Sequence, residues 1–84
     1  MACVTIRYWA AAREAAGVAE ERQHADTLAD LLATVSERHP GRLAAVLACC
    51  AFLVGDVPVG PREHADVLLV DGCVVEVLPP FAGG

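Results

Sequence analysis

The feature that most restricts the fold is an apolar run near the C-terminal end, Cys73-Val74-Val75-Glu76-Val77-Leu78, bounded by Asp71-Gly72 before it and Pro79-Pro80 after it. Asp-Gly is a strong tight-turn dipeptide, because glycine accepts positive φ without steric cost. Two prolines in a row end strand pairing, since neither has an N–H to donate. β-Branched residues in nearly unbroken succession fit a strand buried in the middle of a sheet rather than at its edge. The rest of the chain has to supply that sheet.

Residues 3 to 9, Cys-Val-Thr-Ile-Arg-Tyr-Trp, alternate: Val4, Ile6 and Tyr8 share one face, Thr5 and Arg7 the other, which predicts a half-buried first strand. Ala10 to Ala16 predicts a short helical turn closed by Gly17, and the polar stretch Glu20 to Ala25 an exposed second strand. Leu28, Leu31, Leu32 and Val35 follow the i, i+3, i+4, i+7 rule and predict the main helix over Thr27 to Arg38. Asp26 or Thr27 caps its start, Thr27 and Asp30 have the capping-box spacing, and Pro40-Gly41 ends it. Leu43, Val46 and Leu47 predict a further short helix before Cys50. Ala51 to Val59 reads as a hairpin turning at Gly55-Asp56, with Pro58 confining its second arm to an edge, and Pro61 to Val70 as a looser stretch. The order is strand, strand, helix, then two or three strands. That is an α+β chain in which a mixed sheet of about four to five strands wraps one main helix.

With 84 residues the chain is one domain's worth, and 56% apolar content fills a core without metal or disulfide. So small a domain has little room for an enclosed active site, so chemistry is expected in a partner's pocket. A formal charge of −5 argues against nucleic acid and anionic membranes and favours partners with basic faces. The six cationic side chains are all arginines, so no lysine here can receive an isopeptide bond. No segment reaches the ~18 apolar residues of a membrane helix, and no basic leader precedes the first strand, which predicts a cytoplasmic protein.

Cys3, Cys49, Cys50 and Cys73 have no metal-site spacing and read as core or strand residues, with a sulfur-relay thiol as the rival. His24, His39 and His64 lie among polar residues and read as solvated, and Glu20-Glu21 with Asp26 and Asp30 as a solvated, steering face. Metal ligands are expected nowhere.

Beyond Leu78 the chain reads Pro79-Pro80-Phe81-Ala82-Gly83-Gly84. The prolines favour an extended form, and six extended residues reach at most ~20 Å, enough to enter a partner's active site. Gly83 and Gly84 lack Cβ and fit a channel too narrow for other residues. The reading is therefore a body over 1–78 and a flexible tail over 79–84. Phe81 is either an anchor in a partner's groove or packed back on its own sheet. A sheet face bearing Phe52 or Val75 is a further candidate for docking.

The stretch from Asp71 through Gly84 resembles the C-terminal signature of the molybdopterin synthase small subunits, within the sulfur carriers that also serve thiamine synthesis. Val4-Thr5-Ile6-Arg7-Tyr8-Trp9-Ala10 and Ala12-Arg13-Glu14 resemble the opening of that family. The double proline before the diglycine points to the molybdopterin branch. Cys73 and Cys49-Cys50 depart from the family pattern without touching the tail. The resemblance implies a ubiquitin-like β-grasp fold whose terminal Gly84 carboxylate is adenylated by a partner similar to ubiquitin-activating enzymes, then converted to a thiocarboxylate. Pro79, Pro80, Ala82 and Gly83 would thread the tail. It implies further partners: a sulfur donor such as a cysteine desulfurase or rhodanese, and the large synthase subunit in a heterotetramer. ATP and Mg²⁺ would be consumed by the activating partner and no cofactor held by this chain. The rival readings are a carrier for thiamine or cysteine synthesis or for conjugation, an interaction module with an inert tail, and, least supported, a thiol-redox protein using Cys49-Cys50.

Overall fold

A computed structural model describes residues 1–80. Phe81, Ala82, Gly83 and Gly84 lie outside the described residues. The elements run β1 (Cys3–Tyr8), α1 (Ala10–Ala16), β2 (Glu20–His24), α2 (Leu28–Arg38), α3 (Leu43–Leu47), β3 (Ala51–Val54), β4 (Val57–Pro58) and β5 (Val74–Leu78), with a 3₁₀ turn at His64–Asp66. The sheet order is β2-β1-β5-β3-β4, with β1 and β5 parallel and the other pairs antiparallel.

β5 is central, as its apolar run requires. It pairs with β1 through Thr5–Val74 to Tyr8–Val77 and with β3 through Ala51–Leu78 to Val54–Val75. Pro58 sits on the edge strand β4, where its missing N–H costs no ladder bond. Between β3 and β4, Gly55 and Asp56 both take positive φ, +56° and +68°, the geometry of the two-residue hairpin turn that matches strand twist. The Asp71-Gly72 turn is tied to the start of β1: the Cys3 N–H donates to Asp71 Oδ1 at 2.6 Å and the Gly72 N–H to the Cys3 carbonyl at 2.8 Å.

α2 covers one face of the sheet. Leu28, Leu31 and Val35 are fully buried, in one core with Val4, Ile6, Tyr8, Phe52, Val75 and Val77 from the strands. Thr27 caps the helix by accepting the Asp30 N–H at 3.1 Å. α1 ends as its sequence predicts, with Gly17 at φ +79° donating its N–H to the Arg13 carbonyl. α3 buries Leu43 and Leu47. The loop after β4 is better ordered than its composition indicated: Leu68 bridges to Thr27, and Val67 and Leu69 point into the core. Leu68 and Val70, on alternate positions, face outward.

Candidate functional site

The root of the tail is built by β5. Held between β1 and β3, the strand carries the chain out of the core to Leu78, and the Trp9 N–H donates to the Val77 carbonyl at 3.3 Å beside this exit. Pro79 is half-buried and Pro80 exposed. Both line a groove of about 360 Å³ whose other walls are Ala11 of α1 and Arg42, Ala45, Val46 and Cys49 in and around α3. Of the tail residues singled out in the sequence, the structure thus positions Pro79 and Pro80. Phe81, Ala82, Gly83 and Gly84 lie beyond its described range.

The face of the sheet turned away from α2 is open. Register places Glu20, Arg7, Glu76, Leu53 and Pro58 in one row across all five strands of it, with Thr5, Val74, Leu78 and Ala51 on the same side. Arg7 lies 3.4 Å from Glu20 and 3.8 Å from Glu76, and the Trp9 indole N–H donates to Glu76 at 3.3 Å. Exposed pairs of this kind contribute at most about 1 kcal/mol each, so their effect lies in charge pattern more than stability.

Phe52 and Val75, expected on a docking face, are on the covered one. They are 5% and 0% exposed and belong to the core under α2. Glu76 carried the missing signal. A lone carboxylate in an apolar strand marks the solvent side, so with a two-residue period Val75 and Val77 face inward. No such marker exists for Phe52, whose face follows only from its pairing with Val77.

Two histidines are not simply solvated. His39, at the C-terminal end of α2, has Nε2 2.5 Å from Glu21 Oε2, and its ring packs edge-on against Tyr8 at 6.3 Å. Glu21 also accepts from Gln23 Nε2 at 2.6 Å and from the Tyr8 hydroxyl at 3.4 Å. Glu21 therefore leaves the solvated acidic face assigned to it and becomes the hub of a half-buried polar cluster linking β1, β2 and α2. Burial and the neighbouring Glu21 carboxylate push the Tyr8 phenol well above its ordinary range. His64 packs edge-on against Phe52 at 5.3 Å, and of the three histidines only His24 is exposed.

The cysteines are free and less buried than expected: Cys3, Cys50 and Cys73 are half-buried and Cys49 is exposed. Cys50 donates to the Val46 carbonyl, and burial followed by the adjacent Cys49 raises its pKa. Among the described residues no group of three or more His, Cys, Asp or Glu could hold a metal ion, and no helix is long and apolar enough to cross a membrane.

An α+β sheet of five mixed strands grasping one helix is the ubiquitin-like β-grasp, and the solved structures agree. The small archaeal modifier protein 1 of Methanosarcina acetivorans superposes with a TM-score of 0.85, covering 100% of this chain and 98% of that one, at 24% identity. Subunit 1 and 2 of the molybdopterin-converting factor from Helicobacter pylori were solved as a protein–protein complex. One of its chains matches with a TM-score of 0.72 and 27% identity over 98% of this chain and 99% of that one. A curated relative, the molybdopterin synthase sulfur carrier subunit of Chlamydomonas reinhardtii, is 34% identical over 96% of this chain and 98% of its own length. The model of the ThiS family matches residues 6–84, and the chain belongs to that family.

Proposed function

We propose that this chain is a sulfur carrier and the small subunit of a molybdopterin synthase, working through the carboxylate of Gly84. The observation that carries the reading is the exit of β5: a strand locked on both sides delivers the chain from the core directly to two surface prolines. A rigid base before a slim end lets a partner bind the body and find the tip in a reproducible place. The family match through residue 84 and the likeness to the Chlamydomonas molybdopterin synthase sulfur carrier subunit support the same reading.

At neutral pH a terminal α-carboxyl, with a pKa of about 3.5, is a carboxylate and a poor electrophile. In the proposed cycle a ubiquitin-activating-enzyme-like partner uses ATP and Mg²⁺. A carboxylate oxygen of Gly84 attacks the α-phosphate, pyrophosphate leaves, and an acyl adenylate forms. The outer sulfur of a persulfide, from a cysteine desulfurase or a rhodanese, attacks the acyl carbon and AMP leaves. A thiol then cleaves the sulfur–sulfur bond, becoming part of a disulfide and releasing the thiocarboxylate. The large synthase subunit accepts the tail, with Ala82 and Gly83 in its channel, and sulfur passes to a pterin precursor. Such a partner is named for the Helicobacter protein by its two-subunit complex. The carrier contributes binding energy and position, and its open sheet face offers the larger contact area. We assign the cycle to the cytoplasm, where the ATP is.

The test is an intact mass after incubation with an activating enzyme, ATP and a sulfur source. One oxygen of Gly84 exchanged for sulfur is expected, located by tandem fragmentation because oxidation of a cysteine gives nearly the same nominal gain. An unmodified Gly84 after complete ATP turnover would sink the carrier reading.

A further inference from the structure

The groove between α1 and α3 is left unused by this cycle. Its walls, Ala11, Ala45, Val46, Pro79 and Pro80, are apolar, and Arg42 and Cys49 supply its polar groups. A cavity of about 150 Å³ takes a benzene ring. At about 360 Å³ this one has room for an aromatic side chain and the backbone that bears it. Two of its wall residues, Pro79 and Pro80, are the very residues from which the chain continues into Phe81-Ala82-Gly83-Gly84. Phe81 is the one large apolar side chain in that segment, and a single peptide bond joins it to the groove's wall. Contact at such range is intramolecular, with an effective concentration of about millimolar or above. Arg42 makes no ion pair among the described residues. Its guanidinium suits the face of a phenyl ring, and equally the carboxylate three residues further along.

We propose that this groove receives Phe81 of the same chain, parking the tail against α1 and α3 until a partner withdraws it. The parking role rests on the carrier reading above; the contact itself does not. Its consequence is arithmetical. If nine tails in ten are parked, a partner that needs the free tail binds about tenfold more weakly than its intrinsic affinity. The device would keep the tip from casual contact and make docking and release a single exchange.

The experiment uses the full chain, isotopically labelled, in solution. Nuclear Overhauser cross-peaks are expected between the Phe81 ring and the methyl groups of Ala45 and Val46, unchanged on dilution. Ala45 is exposed, so Ala45→Glu leaves the fold intact while placing a charge in the groove. It should erase the cross-peaks and lower the KM of the activating enzyme for the carrier several-fold, up to about tenfold, with kcat unchanged. Absence of the cross-peaks in the wild-type chain overturns the proposal. So do cross-peaks that appear only between differently labelled molecules, which would make the occupant a second copy. An unchanged KM in the variant overturns the parking role. Cross-peaks present in a chain that never acquires sulfur would defeat the carrier reading and leave the groove contact standing.

Discussion

The two sides of β5 have different surroundings. Val75 and Val77 point toward α2 and are wholly buried, whereas Val74, Glu76 and Leu78 point the other way and stay half-exposed. The covered side shares the core with Leu28, Leu31 and Val35; the open side presents Arg7, Glu20 and Glu76 among apolar neighbours. One strand thus serves the core with its odd positions and leaves its even ones uncovered. In so small a domain that division is close to unavoidable, because there is material to cover only one face of the sheet.

Several measurements can break or sharpen this contrast. The largest effect belongs to neither face. Deleting Gly84, or adding a residue after it, should abolish sulfur transfer while the unfolding midpoint stays where it was. Normal transfer by either variant would show that the body, not the tip, does the chemistry. On the covered side, Leu31→Ala should cost about 2–5 kcal/mol, most of the roughly 5 kcal/mol that such a domain has. On the open side, Val74→Ala should cost under about 1 kcal/mol. Urea unfolding of the pair reads the asymmetry directly, and equal losses would abolish it.

Charge on the open face is expected to act on binding. Glu76→Arg removes one of the two partners of Arg7 and the acceptor of the Trp9 indole, so stability should shift by less than about 1 kcal/mol. Affinity for the large subunit, measured by titration calorimetry, should change about tenfold or more, since like charges across an interface are costly. An unaltered affinity would move the docking surface elsewhere.

The smallest effect at neutral pH becomes visible only in alkali. Tyr8 ionises less readily in the folded chain than at its ordinary value of 10.0. Its contribution is therefore fully present below pH 10 and is lost as pH rises through the folded value. Above pH 10 stability should fall by up to about 1.4 kcal/mol per pH unit. Tyr8→Phe should remove that slope and lose the weak 3.4 Å contact with Glu21. A variant with the same alkaline slope would refute the assignment.

Much of the fold was legible because its signals are local. Alternation in Val4-Thr5-Ile6-Arg7-Tyr8, the Leu28–Val35 stripe, Gly17 at a helix end and Pro58 at an edge each act within a few residues. The end of β5 at Leu78, before the double proline, was legible for the same reason. What escaped depends on partners far along the chain. Glu21 looks like one of several surface acids until β1, β2 and α2 meet and surround it with Tyr8, Gln23 and His39. Arg42 and Cys49 carry no motif, and they border the tail's root only because α1 packs against both α3 and β5.

By itself the sequence determined the elements, their order and the central place of the last strand. Steric and hydrogen-bonding rules for turns, prolines and periodic apolar positions operate over a few residues and need no fold to act. Tertiary structure alone decided which face of the sheet was covered, where Phe52 pointed, and which side chains met around Glu21 and along the groove. Those outcomes follow from strand register and helix packing, which bring together residues that share no local pattern.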